Sequence, residues 1–408
     1  MLICYVFPPE PCTAGVMFRE LAEDLTRAGH DVTVVTGWPN FPQGILYKGW
    51  RVKFRHVERA PEGYRVIRCG HAVRQRKKIL HRLWYYFTFA VSSFVNTLAA
   101  GRVDAVLDDS TPLFGLWTAW LMARLKGARV VYWIHDVYPD TVIDSGMMHE
   151  GLVARFVRWQ DTMLCRHCDL TATISEGMRQ TILKRGLDPK RVVVASNWLD
   201  QAKFPLAPRD NPWRASQGGL GPEKFVVLHA GTIGFVSAPM VMIDAAERLR
   251  ERDDIILLIV GEGPVKDDLV KEAHRRQLRN VRFLPFQPAE VLHEVQAASD
   301  VSLVTLSRNS GTNSIPSRMI GYIAAARPVI AAVRQDSATA TMIREGNFGF
   351  IVEPEDPDAL AGAIRGAADN RRQLDRLGKN AREFFVKTYD RKTCTKVCES
   401  ILTGPLPQ

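Results

Sequence analysis

The chain has 408 residues, too long for one ordinary core and suited to two domains of roughly 200 residues each. With 46% hydrophobic and 24% charged residues it has a globular composition, which excludes a disordered or collagen-like chain. The 54 Lys and Arg against 44 Asp and Glu leave a formal charge of +10, favouring anionic partners: nucleic acid, phosphorylated small molecules or a lipid surface.

In chain order, residues 2–6 form a short apolar strand that runs into prolines (MLICYVFPPEP). The basic start, long apolar run and cleavage site of a signal peptide are missing. Residues 16–28 set Phe18, Leu21, Ala22 and Leu25 at helical spacing, with Gly29 as C-cap. Residues 31–36 (DVTVVT) complete a unit of βαβ length.

Residues 74–95 (RQRKKILHRLWYYFTFAVSSFV) run Arg74, Arg76, Lys77, Lys78 and Arg82 into Trp84, Tyr85, Tyr86, Phe87 and Phe89. Cations beside interfacial aromatics suit a helix resting on an anionic bilayer; a core helix with a solvated basic start is the alternative. The apolar stretch 83–100 is broken by Ser92, Ser93, Asn96 and Thr97, so no membrane-spanning helix is predicted. No nucleic-acid recognition module accompanies the basic run, and nucleic acid is not an expected partner.

Further buried-type strands fall at 105–107, 129–134, 170–174 and 192–195, separated by helical patterns. They imply a parallel sheet covered on both faces. Residues 201–222, rich in Pro, Gly and polar side chains, read as a linker. Alternation restarts with strands at 225–230, 255–260, 281–284, 301–305 and 329–332, and helices near 239–252, 265–277, 288–298 and 318–325. The stretch 357–402 is mostly helical. The expected organisation is α/β, with Rossmann-like doubly wound domains at 1–200 and 223–385. A helical tail at 386–408 is expected to pack back on the first domain.

Seven cysteines, an odd number, do not make a secreted disulfide framework. Cys165 with Cys168, and Cys394 with Cys398, have helical spacing and read as small apolar residues on helix faces rather than zinc ligands. Reduced thiols and a cytosolic setting are expected.

Ligands of open α/β sheets bind beyond the carboxyl ends of the strands, so the loops directly after strands carry the functional reading. FPPEPCTAGVMF places Gly15 just before a helix whose free N–H groups can receive a phosphate or sugar hydroxyl. Gly15 can equally serve only the turn, and the loop is not GxGxxG. IHDVYPD ends an apolar strand in His135 and Asp136, titratable groups able to bind a sugar hydroxyl or a phosphate, or to serve only the structure. In HAGTIGFVSAP, Gly231 and Gly234 let the backbone approach a diphosphate. VGEGP, residues 260–264, is either a tight turn or a nucleotide contact. In NSGTNSIPSRMIGYIAAARPVIAA, Ser314, Ser317 and Arg318 precede a helix, a combination suited to phosphate. Arg318 as a solvated surface residue is the alternative.

Taken in order, YVFPPEP, RAGHDVTVVTGWPNFPQG, IHDVYPD, ATISEGMRQTI, SNWLD, LLIVGEGPVKDDL, LRNVRFLPFQP, ASDVSLV and SIPSRMIGYIAAARPVI resemble the family-four retaining glycosyltransferases of the GT-B fold. The resemblance covers nearly the whole chain. It is greatest to the bacterial branch that builds colanic-acid-like exopolysaccharide and O-antigen repeats. It implies two facing domains with an interdomain cleft and a UDP- or GDP-type nucleotide-diphosphate-sugar donor on the second. The acceptor, a polyprenyl-diphosphate-linked glycan, falls to the first. It also implies retention of anomeric configuration with no divalent metal or other cofactor, the leaving diphosphate being stabilised by cations and helix N-termini. The implied location is the inner face of the plasma membrane.

Carried over residue by residue, His135, Asp136 and Arg318 take catalytic roles. Gly231, Thr232, Gly234, Glu262, Gly263 and Pro264 contact the donor, with Asn313, Ser314, Pro316, Ser317 and Arg318. Thr13, Gly15, Trp38 and Asp109 contact the acceptor. Two features depart from the family pattern. Its two spaced glutamates, the second a ribose ligand, fall on Asn313 and Gly321; Ser310, Thr312 or Asn313 would have to substitute. The basic residue often found after the first Gly-rich turn is also absent from GFVSAP. These departures motivate an alternative, a catalytically silent GT-B subunit that scaffolds a partner transferase. A GT-B sugar-nucleotide epimerase is a third reading.

Overall fold

The computed structural model describes residues 1–74, 79–109, 115–140, 143, 149–309 and 315–405, with the backbone alone at Ile79, Leu80 and Arg82. Arg76, Lys77, Lys78, Ser310, Thr312, Asn313 and Ser314 therefore lie outside the described residues. The chain divides into two compact units, Met1–Asn197 with Cys394–Gln408, and Trp198–Thr393.

The first unit holds β1 (Leu2–Ile3), β2 (Thr33–Thr36), β3 (Arg55–Arg59), β4 (Arg65–Cys69), β5 (Ala105–Asp109), β6 (Arg129–Ile134), β7 (Leu170–Thr173) and β8 (Val192–Val194). Their order across the sheet is β3-β4-β2-β1-β5-β6-β7-β8. Among the described residues only β3 runs antiparallel, to β4. Between the strands lie α1 (Thr13–Arg27), α2 (Ile79–Leu98), α3 (Gly115–Lys126), α4 (Leu152–His167) and α5 (Glu176–Leu183). Phe89 of α2, Met122 of α3, Leu164 of α4 and Ile182 of α5 share one core with Val106, Val130 and Ile134 of the sheet. These four helices therefore cover the same face.

The expected strand 2–6 is only two residues long, and the β3–β4 hairpin was not expected. The sequence of β3, RHVER, is charged and at most half-buried, so it lacks the apolar run by which the central strands declare themselves.

The second unit holds β9 (Phe225–Ala230), β10 (Ile255–Val260), β11 (Val281–Leu284), β12 (Val301–Thr305), β13 (Val329–Ala332) and β14 (Gly349–Val352). The order is β11-β10-β9-β12-β13-β14, and each neighbouring pair is parallel. Its helices are α6 (Pro212–Ser216), α7 (Met240–Arg248), α8 (Lys266–Arg275), α9 (Leu292–Ala297), α10 (Arg318–Ala324), α11 (Ala338–Gly346), α12 (Pro357–Asp369) and α13 (Arg371–Thr388). Both faces of β9 are buried: Val226 and Leu228 pack with Tyr322 and Ile323, Phe225 and Val227 with Met242 and Leu360. The final helix, α14 (Arg391–Thr403), carries Glu399, which meets His30 at 2.9 Å, and its Ile401 carbonyl accepts from Arg129 at 2.9 Å.

Residues 201–222 are not a free linker but part of the second unit. Arg214 of α6 is buried there and donates to the carbonyls of Leu220 (2.9 Å) and Ala298 (2.6 Å). A buried guanidinium satisfied by carbonyls holds a segment as firmly as an apolar anchor, yet leaves no hydrophobic signature.

Candidate active site

In the second unit the chain order reverses at β9: β10 and β11 extend to one side, β12 to β14 to the other. The loops leaving such a point diverge and open a crevice beyond the strand ends. The loops after β9 and β10 lie backbone against backbone, Ile233 N–H donating to the Glu262 carbonyl at 2.9 Å. A Cβ at Gly261 would stand 1.9 Å from the Gly231 carbonyl oxygen, and one at Gly263 2.1 Å from that of Ile233. Gly231 and Gly261 also have φ of +136° and +151°. These glycines are required by the loops themselves. Gly234 is different: its φ is −119°, and an added Cβ would meet nothing within 4 Å. Nothing inside the fold demands glycine there, whereas close approach of a ligand to the backbone would.

Arg318 opens α10, half-buried above this loop. Its Nη2 donates to the Thr232 carbonyl at 3.0 Å and its Nη1 to Nε2 of His229 at 2.5 Å. His229 ends the apolar run of β9 with no exposed surface. Burial, and then the Arg318 charge, hold its imidazole well below the usual range. Being neutral, it accepts a hydrogen bond and orients the guanidinium. One turn later the Tyr322 hydroxyl donates to the Ala230 carbonyl (3.2 Å) and accepts from the Ala230 N–H (2.8 Å). Residues four apart share a helix face, so Tyr322 and Arg318 together fix α10 to the end of β9. The outcome is an oriented cation over a glycine loop, an arrangement suited to a phosphorylated ligand.

In the first unit the order reverses at β1, between β2 and β5. Asp109 ends β5 opposite Trp133 of β6, and His135 follows two residues later. His135 Nδ1 and Asp109 Oδ1 stand 2.9 Å apart. A carboxylate at Nδ1 holds the ring and favours a proton on that atom. Partial burial raises the Asp136 carboxyl, and the neighbouring His135 opposes that rise. Asp140 is committed elsewhere: it accepts from Arg158 (2.7 Å) and Arg185 (2.9 Å).

Residues 214–384 match the family described as glycosyl transferases group 1, and residues 13–198 the glycosyl transferase 4-like domain. Over 396 residues, 95% of each chain, the protein is 30% identical to the putative colanic acid biosynthesis glycosyl transferase WcaI of Escherichia coli K12. The chain belongs to the family-four glycosyltransferases. It is also 26% identical to the probable glycosyltransferase WbjE of Pseudomonas aeruginosa, over 76% of each chain. Among solved structures, Anabaena Alr3699/HepE, determined with UDP and glucose, superposes with a TM-score of 0.67 at 15% identity over 99% of both chains. WaaG, a glycosyltransferase involved in lipopolysaccharide biosynthesis, does so at 0.65 and 17%, again over 99% of both. The fold is GT-B.

Within this glycosyltransferase the expected site residues fall into distinct groups. Gly231, Thr232, Gly234, Gly263 and Arg318 come together around the β9 loop, with Glu262 beside them in an ion pair to Lys266 at 2.7 Å. Pro316 and Ser317 lead into α10, where the Ser317 hydroxyl makes no capping bond. Gly15 is inside α1 rather than before it, and a Cβ there would meet the Val6 carbonyl oxygen at 2.8 Å. Trp38 is buried, its indole N–H given to the Lys53 carbonyl at 3.0 Å. Both are therefore held by packing within the first unit. Thr13 begins α1 and is exposed.

Position 321, where the second family glutamate would stand, is buried in α10; a Cβ there would lie 2.5 Å from Oε1 of Gln296 on α9. Gln296 occupies that space. Sequence reading passed over His229 and Gln296. An imidazole at the end of FVVLHA was a signal; for Gln296 only packing reveals the role. Among the described residues no group of three His, Cys, Asp or Glu converges as a metal site.

Proposed function

We propose that this glycosyltransferase moves a sugar from a UDP- or GDP-type donor to a polyprenyl-diphosphate-linked glycan in bacterial surface polysaccharide synthesis. Retention of anomeric configuration and independence of divalent metal belong to the same reading. The observation that carries it is Arg318, oriented by His229 and Thr232 over the Gly231–Gly234 loop. Breaking the donor's glycosidic bond leaves negative charge on the departing diphosphate. A cation and N–H groups already in position stabilise that charge without reorganising. The likeness to WcaI supports the polysaccharide context, and the UDP complex of HepE supports the donor class.

His135, oriented by Asp109, is assigned to a hydroxyl of the transferred sugar, with Asp136 beside it. Thr13, Gly15, Trp38 and Asp109 are the acceptor-side candidates. The basic-aromatic segment 74–95 is assigned to an anionic membrane surface at the inner face of the plasma membrane.

The test is thermal denaturation of the purified chain with UDP, GDP, UDP-glucose and GDP-mannose, followed by transfer assays with and without EDTA. One nucleotide class is expected to raise the melting temperature, since a ligand of the native state stabilises it. Arg318→Ala should abolish that rise, and EDTA should leave transfer unchanged. If none of the four shifts the native chain at millimolar concentration, the donor reading fails. Gln296 in the space of the missing carboxylate favours one second reading, a silent scaffolding subunit. Saturable nucleotide binding without any transfer would select it.

A further inference from the structure

Helix α2 is built inside out. A helix on a water-facing surface normally turns its polar side outward. Here Ser92, Ser93, Asn96 and Thr97 are all buried. Their hydrogen bonds are made within the protein: Asn96 Nδ2 donates to the Phe54 and Ser92 carbonyls at 3.1 and 2.9 Å, Ser93 Oγ to Ala90 at 3.0 Å, and Thr97 Oγ1 to Phe94 at 2.9 Å. The opposite side carries Trp84, Phe87, Val91, Val95 and Leu98, spaced three or four residues apart and exposed from 39% at Leu98 to 53% at Trp84. The polar interruptions of the apolar stretch are thus on the protein side, and the outer stripe is continuous.

The stripe does not end at α2. Helix α3 lies against α2, and its Trp117 and Trp120 meet His167 of α4 with ring centroids 6.3 and 5.6 Å apart. The three helices sit side by side on one face of the sheet. On the outside α3 adds Leu121 and Leu125, and α4 adds Leu152, Val153, Phe156 and Trp159, every one exposed. Phe156 and Trp159 pair at 5.9 Å, one turn apart on the outer side of α4.

Charge chooses the occupant. The sequences of the three helices contain a single carboxylate, Asp161, which is buried against Tyr132 (3.0 Å) and Arg185 (2.6 Å). Arg124, Arg155 and Arg166 are exposed on them, and exposed Arg74 precedes α2. A second copy seated on this face would set cation against cation. An anionic lipid surface meets the cations with phosphate and the aromatic and aliphatic tips with the acyl boundary. No helix among the described residues is long and apolar enough to cross a membrane, so the face would lie in the interface plane.

We infer that α2, α3 and α4 form one membrane-docking face that seats the first unit on an anionic bilayer, with Phe156 and Trp159 as an anchor separate from segment 74–95. This deepens the membrane part of the proposed function and does not depend on the donor assignment.

The test is sedimentation of the full chain with phosphatidylcholine vesicles, with and without phosphatidylglycerol. The native chain, Trp84→Ser/Phe87→Ser and Phe156→Ser/Trp159→Ser are compared. Binding should require phosphatidylglycerol, and each double variant should lower partitioning about tenfold or more. Melting temperature and the nucleotide-induced shift should stay at native values, because the altered side chains are exposed. Should a double variant melt early, Trp84→Ser alone on α2 or Trp159→Ser alone on α4 serves in its place. If the α4 variant binds like the native chain while the α2 variant does not, docking is confined to segment 74–95 and the inference is overturned. It is equally overturned if the native chain ignores phosphatidylglycerol vesicles, or if light scattering shows a dimer that these substitutions dissolve. Retained nucleotide binding in those cases would leave the transferase reading standing.

Discussion

Nη1 of Arg318 stands 2.5 Å from Nε2 of His229, a permanently charged donor against an imidazole that burial keeps neutral. The geometry makes His229 a positioning residue for the cation. Replacing it with phenylalanine preserves the packing at the end of β9 and removes the acceptor, while Arg318 keeps its bond to Thr232. Transfer measured as kcat/KM should fall about tenfold for His229→Phe, against roughly 10²–10³-fold for Arg318→Ala, the usual cost of losing one preorganised donor. Arg318→Lys should recover little, because an ammonium cannot reproduce the fork that spans both partners. Steady-state kinetics at saturating acceptor would show this ranking.

The same histidine sets a pH dependence of stability. In the unfolded chain it titrates near its ordinary value of 6.5, whereas the native imidazole is held well below that. Once the pH drops below 6.5 the unfolded state binds a proton that the native state does not. The contribution of His229 is therefore pH-independent above that value and turns destabilising below it, by up to about 1.4 kcal/mol per pH unit. Urea denaturation of native and His229→Phe proteins across this range should show a shallower acid limb for the variant. Parallel limbs would mean that the native imidazole takes up a proton in the same range.

The glycines of the β9 and β10 loops should separate by role. Gly261→Ala places a methyl group against the Gly231 carbonyl at a φ that disfavours side chains, and should cost about 3 kcal/mol or more. Gly234→Ala meets open space at an ordinary φ, so stability should change by no more than about 0.5 kcal/mol. Its effect should appear instead in nucleotide affinity, measured calorimetrically with UDP and GDP. Unchanged affinity would remove Gly234 from the donor site.

Position 321 offers a test of how the missing carboxylate is accommodated. Gly321→Glu drives a side chain into Gln296 and should destabilise the protein by about 1–3 kcal/mol, the usual cost of overpacking. Gln296→Ala vacates that space. The double variant should therefore be more stable than the sum of the single changes predicts, with a coupling of at least 0.5 kcal/mol by chemical denaturation, in the roughly 0.5–3 kcal/mol range for contacting residues. Additive effects would show that the two positions do not share the space.

How much could be read in advance follows from what each element buries. The strands at 225–230, 255–260, 301–305 and 329–332 coincide with β9, β10, β12 and β13, because inner parallel strands are continuous apolar runs, and the one at 281–284 coincides with β11 at the sheet edge. The strands β3, β4 and β14 were missed: β3 and β14 are edge strands of partial burial, and β4, RVIRC, is an inner strand whose two arginines in five residues interrupt the apolar run. The loops carrying Gly231, Gly263 and Arg318 were legible as Gly-rich or basic turns after strands. Their mutual contacts were not.

The sequence by itself therefore determined the alternating α/β plan, the Gly-rich loops that follow strands and the family, since each is written in local periodicity or in the order of short segments. Only the tertiary structure decided which glycines are required by a neighbouring backbone and which stand open. It alone set His229 against Arg318, Gln296 over Gly321, and the polar side of α2 inward. Those relations join residues far apart in the chain, and close packing rather than composition fixes them.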